Sequence, residues 1–149
     1  MNVTENRSPL FKIRSARRGD GETVRALLGE AGFQIDSQIV TWLISHPEME
    51  LLVAADSLDK AIGVLALSHR PQLRFSARIA TIDELVVARN WRRKGVGREL
   101  LKRAVDRAKV LGAKRLEIQN LLGAKDPALA FFSSCGFEQA DVLVFKLKA

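Results

Sequence analysis

One stretch of the chain, residues 79–111, restricts the possible folds more than any other. It begins with a long apolar run, IATIDELVV from Ile79 to Val87, which predicts a β-strand. A basic turn with two glycines follows, and apolar residues then recur at helical spacing from Val96 to Leu111, until Gly112. We therefore expect a strand, a glycine turn and an amphipathic helix in direct succession.

The rest of the chain predicts the other elements of an α/β (α+β mixed) domain. Apolar spacing and turn residues indicate strands at residues 11–15, 50–55, 61–68, 115–119 and 142–147, and helices at residues 20–32, 37–46 and 126–134. Between the third and fourth strands, Pro71 predicts a loop from Arg70 to Ser76. The order β-α-α-β-β-β-α-β-α-β favours a mixed, mostly antiparallel sheet with helices on both faces.

Length and composition bear on the number of domains and on the compartment. A chain of 149 residues fits one core, so we expect a flexible lead-in at residues 1–10 and a single domain over residues 11–149. No apolar run is long enough for a membrane helix, and the start of the chain lacks the apolar block of a signal peptide. With one cysteine, Cys135, no internal disulfide is possible. We expect a cytoplasmic protein without a metal.

The net charge of +7 predicts an anionic partner, which could be nucleic acid, a membrane surface or a phosphate-rich cofactor. The excess is local, because eleven of the 24 Lys and Arg residues lie between Arg89 and Arg115. In the basic turn, Gly95 and Gly97 allow successive backbone N–H groups to converge where a helix begins, and such a helix terminus attracts anions. The turn is neither a Walker A loop nor a Rossmann fingerprint. It favours a phosphate site of another type.

The same residues resemble the GNAT superfamily of acyl-CoA N-acyltransferases. The turn reads R-x-x-G-x-G from Arg92 to Gly97 directly after a strand that ends in LVV, and the segment AxxFFxxxGF follows from Ala128 to Phe137. The element order fits this family over nearly the whole chain. The resemblance implies a GNAT-like domain that transfers an acetyl group from acetyl-CoA to a primary amine.

The resemblance also implies the cofactor site. The strand before the turn would donate backbone N–H groups to the thioester oxygen, the turn and the helix start would bind the pyrophosphate, and the last helix would contact the remainder of the cofactor. The residues implied are Leu85, Val86, Val87, Arg92, Arg93, Lys94, Gly95, Val96, Gly97, Arg98, Asp126 and Phe132.

Three carboxylates, Asp83, Glu84 and Glu117, are candidate general bases, and each could instead form a salt bridge with a nearby arginine. Because strand side chains alternate, we expect Asp83 and Glu84 to point to opposite faces. Many relatives have a tyrosine at the position of Phe132 that protonates the departing thiolate, but this chain contains no tyrosine. Water or Ser133 would have to replace it.

Alternatives to the enzyme remain open. The missing tyrosine favours a non-catalytic acyl-CoA-binding or regulatory module, and the charge favours a nucleic-acid-binding protein. We do not expect nucleic acid as the partner, since the clustered cations lie where the cofactor phosphates would bind and aromatic residues are sparse. A homodimer is possible. An acceptor with a carboxylate or phosphate would suit Arg70, Arg74 and Arg78, and Trp42 is expected in the core.

Overall fold

The computed structural model of the chain describes residues 10–119 and 128–148. Two compact units are present, one ending at Gln119 and the other beginning at Asn120. The single domain over residues 11–149 stays a prediction, and all of the expected lead-in except Leu10 lies outside the described residues. No helix in the two described ranges combines the length and the apolar character needed to cross a bilayer.

The first unit is built on a five-stranded sheet. Its elements are β1 (Lys12–Ser15), α1 (Gly21–Glu30), α2 (Gln38–Ile44), β2 (Met49–Ala55), β3 (Ala61–Gln72), β4 (Ala77–Val87), α3 (Val96–Val110) and β5 (Ala113–Ile118). The strands lie in the order β1-β2-β3-β4-β5. The pairs from β1 to β4 are antiparallel, and β4 pairs with β5 in parallel. The expected mixed, mostly antiparallel sheet is confirmed.

The helices α1 and α3 cover opposite faces of this sheet. A Cβ added at Gly63 of β3 would meet the side chains of Val96 and Leu100 in α3. Its neighbour Ile62 instead lines a surface pocket together with Leu27 of α1. Because successive strand residues point to opposite faces, the sheet has an α3 face and an α1 face. The expectation of helices on both faces is confirmed.

Two kinds of contact hold α3 on the sheet. Its expected apolar stripe is buried at Val96, Leu100, Leu101, Ala104 and Ala108. Near its C-terminal end, the Arg107 guanidinium donates two hydrogen bonds to the Glu50 carboxylate of β2, one of them 2.7 Å long. Apolar burial and this ion pair together hold α3 along the sheet.

The loop expected from Arg70 to Ser76 is wrong, because β3 continues to Gln72 and β4 begins at Ala77, leaving only a short 3-10 turn between them. The His69 N–H donates to Glu48 C=O on the β2 side, at 2.9 Å. By alternation the nitrogen of Pro71 also faces that side, but β2 begins at Met49, opposite Ser68, and does not reach Pro71. The proline therefore removes no hydrogen bond from the β3–β4 ladder.

The second unit contains α4 (Leu129–Ser134), which confirms the C-terminal part of the expected last helix. Gly136, with φ of +92°, follows its end. The strand expected at residues 142–147 is wrong: these residues have no regular secondary structure, and Phe145 is 87% exposed. Apolar alternation predicts a strand only where a partner strand is available, and the described part of this unit contains none.

Candidate active site

The backbone of the basic turn between β4 and α3 has the features expected of an anion-binding loop. Arg93 and Gly95 both have positive φ, 63° and 85°. Gly95 is the N-cap of α3, and no side chain caps the helix. Since the first intrahelical bond runs from Glu99 N–H to Gly95 C=O, the N–H groups of the first turn have no intrahelical acceptor. The left-handed arginine is strained by about 1–2 kcal/mol, which is a common property of ligand-binding turns.

The basic side chains expected in the cofactor site surround this turn. Arg92, Arg93, Lys94 and Arg98 are all exposed, and Gly97 is the second residue of α3. The Lys94 ammonium lies 5.1 Å from the centroid of the Trp91 ring, which packs edge-on against Phe11 at 6.4 Å. Trp91 thus anchors the turn by packing and leaves its charged residues in solvent.

Gly63, which the sequence did not single out, allows α3 to approach the sheet. A Cβ at this position would lie 2.9 Å from Val96 Cγ1 and 3.2 Å from Leu100 Cδ1. Val87 of β4 is the register partner of Gly63, so the close approach occurs where the basic turn begins. A glycine inside a predicted strand is the signal that could have indicated it.

Strand β4 contains a β-bulge before this turn. Leu67 of β3 pairs with Ile82, and Ala66 pairs with Glu84, which leaves Asp83 without a register partner. On the other side, pairing with β5 ends at Ile82 and Ile118. Within residues 10–119, no strand pairs with this side of β4 beyond the bulge.

The hydrogen-bond phase of β4 determines which backbone groups face this open edge. The Ala88 N–H donates to the Ile62 C=O at 2.9 Å, so this opposed pair is a hydrogen-bonded one. Alternation then makes Val86 a hydrogen-bonded partner of β3, whereas the N–H groups of Leu85 and Val87 point to the open edge. Two donors of the predicted oxyanion site therefore face the same way.

The alternation expected at Asp83 and Glu84 is wrong, because the bulge interrupts it. Leu85 is paired with Leu65 on the α3 face, so Glu84 points to the α1 face. Counting from Ile82, which is also on the α3 face, Asp83 points to the α1 face too. The extra residue thus places two adjacent carboxylates on one side of the sheet.

Both bulge carboxylates are harder to ionise than usual. Burial raises the pKa of Asp83, although the Ser68 hydroxyl and the positive charge of Arg70 oppose this. Burial, and after it the charge of Asp83, raises the pKa of Glu84. Part of Glu84 remains exposed, but enough protein surrounds it to weaken its hydration. A raised pKa is the property expected of a general base.

The third candidate, Glu117, lies on β5 opposite Thr81, on the same face as the bulge carboxylates. Its carboxylate forms an ion pair with Arg115, at 3.3 Å. This is the alternative salt-bridge arrangement that the sequence left open. A role as base stays a prediction.

The two remaining residues predicted to contact the cofactor follow Gln119 in the sequence. Asp126 lies outside the described residues. Phe132 is half-buried in α4 and packs against Phe131, with ring centroids 5.7 Å apart. Their roles stay predictions.

The sequence profile of the acetyltransferase (GNAT) family matches residues 21–137, well over half of the chain. No curated protein matches the sequence of the chain. Among solved structures, a transcriptional regulator from Bacillus halodurans has 21% identity and a TM-score of 0.79, and the match covers 93% of this chain and 99% of the regulator. An aminoglycoside acetyltransferase from an uncultured soil sample has 25% identity, a TM-score of 0.74 and coverages of 93% and 97%. A ribosomal-protein-alanine N-acetyltransferase from Brucella melitensis biovar Abortus has 16% identity, a TM-score of 0.77 and coverages of 93% and 99%.

Proposed function

The chain belongs to the acetyltransferase (GNAT) family, and we propose that it transfers an acetyl group from acetyl-CoA to a primary amine. The observation that best supports this proposal is the bulge of β4. It leaves two backbone N–H groups, of Leu85 and Val87, directed to an open strand edge that leads into the basic turn. Acetyl-CoA requires hydrogen-bond donors for its thioester oxygen and, further along the same path, for its pyrophosphate.

The described residues fit the phosphates of the cofactor. At Gly95 an added Cβ would meet no atom within 4 Å, so the turn is open to a ligand on this side. The backbone N–H groups of Gly97 and its neighbours in the first turn of α3 would bind the pyrophosphate, and Arg92, Arg93 and Lys94 would add positive charge. When bound, the cofactor supplies the activated acetyl group.

The open edge of β4 would stabilise the charge that develops during the reaction. In this proposal the N–H of Leu85 or Val87 donates to the carbonyl oxygen of the acetyl group, where negative charge accumulates. Val86 instead bonds to β3, so it contributes by packing.

Glu84 is our first choice for the general base, with Asp83 beside it. The amine must lose a proton as its nitrogen bonds to the acetyl carbon and the carbon–sulfur bond breaks. A carboxylate with a raised pKa is a stronger base, and the α1 face is the side of β4 away from α3. Glu117 is a weaker candidate because Arg115 already pairs with it.

The departing thiolate takes its proton from water in this proposal. A thiol has an ordinary pKa of about 8.5, so its anion is an adequate leaving group near neutral pH. Ser133 in α4 is the other candidate, and no tyrosine exists in the chain.

The test is the release of free CoA thiol from acetyl-CoA in the presence of an amine panel, together with calorimetric binding of acetyl-CoA. We expect acetyl-CoA to bind and at least one amine to accelerate thiol release. Glu84→Gln should slow that release at saturating acetyl-CoA without weakening its binding.

A non-catalytic acyl-CoA-binding module is the second candidate, and the absence of tyrosine favours it. Acetyl-CoA binding without thiol release across the panel would select this module. Failure of both measurements would reject the cofactor site itself.

A further inference from the structure

The α1 face of the sheet carries opposite charges at its two ends. Register pairs Arg70 of β3 with Ile79 of β4, and Ile79 with Arg115 of β5. Paired residues project to the same face, so the two arginines flank Ile79 on the α1 face. The bulge carboxylates Asp83 and Glu84 lie on this face further along β4.

More positive charge is present at the arginine end. The guanidinium carbons of Arg74 and Arg115 lie 4.7 Å and 5.8 Å from the centroid of the Phe75 ring. Arg70 is exposed, and Arg115 keeps 37% of its side chain exposed while pairing with Glu117. A guanidinium has five donors, so one carboxylate contact leaves others for a ligand.

Arg78, which the sequence grouped with Arg70 and Arg74, does not belong to this cluster. Its guanidinium contacts His69 Nδ1 at 3.2 Å, and by register it lies on the α3 face. Arg115, and not Arg78, joins Arg70 and Arg74 at this end of the α1 face.

The spacing between the two ends suits a small bifunctional molecule. From Ile79 to Asp83 the strand advances four residues, or about 14 Å at 3.4 Å per residue. Arginine side chains are long and can extend along the face, so the gap between the charged groups can be shorter than the gap between the backbones.

We propose that the acceptor amine also carries a carboxylate or phosphate, which Arg70 and Arg115 bind while Asp83 and Glu84 face the amine. This inference rests on the proposed acetyl transfer. Attraction between the ammonium group and the bulge carboxylates places the amine beside the base, and the guanidinium groups fix the other end. The positive field of the chain, with its net charge of +7, favours such an acceptor over a polyamine.

The test compares amines of equal chain length: hexylamine, aminohexanoate, aminohexyl phosphate and diaminohexane. Thiol release gives kcat/KM for each. We expect the better of the two anionic amines to exceed hexylamine at least tenfold, and diaminohexane to be the poorest. The carboxylate and phosphate arms show which anion the arginines prefer.

Variants at position 70 test whether the preference for anionic amines depends on the arginines of the α1 face. Arg70→Gln should reduce the advantage of the anionic amine over hexylamine to about twofold or less, mainly through KM, and Arg70→Lys should keep part of it. Arg70→Glu should make diaminohexane the better substrate. Arg103→Gln, which removes an exposed arginine from α3, is the matched control and should keep the parental order. Melting temperatures show that each variant is folded.

Two outcomes would overturn this inference, and they differ. If amines are acetylated but the three charge classes react alike, or if Arg70→Gln leaves their order unchanged, the acceptor assignment is wrong and acetyl transfer stands. If no amine releases thiol, acetyl transfer itself fails and the inference fails with it.

Discussion

Replacing Gly95 with alanine should weaken acetyl-CoA binding far more than it weakens the fold. Gly95 has φ of +85°, and an added Cβ would meet no atom within 4 Å. The folded protein therefore suffers only backbone strain, about 1–2 kcal/mol for an L-residue in the left-handed region. In a chain of this length such a loss lowers Tm by roughly 2–8 °C.

The effect on binding has a separate origin. The new methyl group would occupy the open space at the start of α3, on the side from which the pyrophosphate is proposed to approach. Loss of one hydrogen bond to a charged group costs about 1.5–3 kcal/mol, which is roughly a tenfold to hundredfold increase in Kd.

Gly112 provides a matched control at the other end of the same helix. It has φ of +71° and, like Gly95, open space where a Cβ would be added. Gly112→Ala should therefore lower Tm by a similar amount and leave the Kd for acetyl-CoA unchanged. Calorimetric titration of both variants and the parent measures the difference. Equal affinities in all three would refute the assignment of the basic turn as the phosphate site.

Three other changes test the fold and the chemistry. Gly63→Val should lower the free energy of unfolding by about 1–3 kcal/mol in urea titration, because its side chain would overlap Val96. Asp20→Asn should reduce the loss of unfolding free energy at low pH. Burial of Asp20 opposes its ionisation, but hydrogen bonds from Arg14 and a backbone N–H outweigh it and lower the Asp20 pKa below its unfolded value. The stabilisation by this carboxylate is therefore present above the unfolded pKa and is lost as pH falls through the folded pKa. The rate of thiol release should fall at acidic pH with an apparent pKa above the ordinary value for a glutamate, because the Glu84 pKa is raised. Glu84→Gln should abolish this fall. An unchanged pH profile in this variant would exclude Glu84 as the base.

The local structure of the candidate phosphate site could be predicted from sequence, because it depends on residues close together in the chain. A strand, two glycines, clustered cations and an amphipathic stripe follow one another within residues 79–111, and α3 begins at Val96 as expected. Asp83 shows where this fails. Whether a strand residue is matched or bulged depends on the neighbouring strand, and the sequence of β4 contains no sign of it.

Long-range packing explains the other differences. Trp42 was expected in the core, but it is 58% exposed and its ring lies 5.2 Å from that of His46 on the surface of α2. A seven-residue helix buries a narrow stripe, and only Val40 of α2 is fully buried. Hydrophobicity alone does not say which side of a short helix meets the sheet.

Because Asp83 of β4 has no register partner, we expect this strand to be more sensitive to a change of length at this point than to a change of side chain. A substitution at Asp83 changes one group and leaves the pairing of Ile82 and Glu84 with β3 in place. A single deletion there would let the ladder run on without interruption, straighten the strand and remove one member of the carboxylate pair. Point mutations at Asp83 would therefore change the chemistry of the carboxylate pair, whereas shortening the strand would remove the arrangement itself.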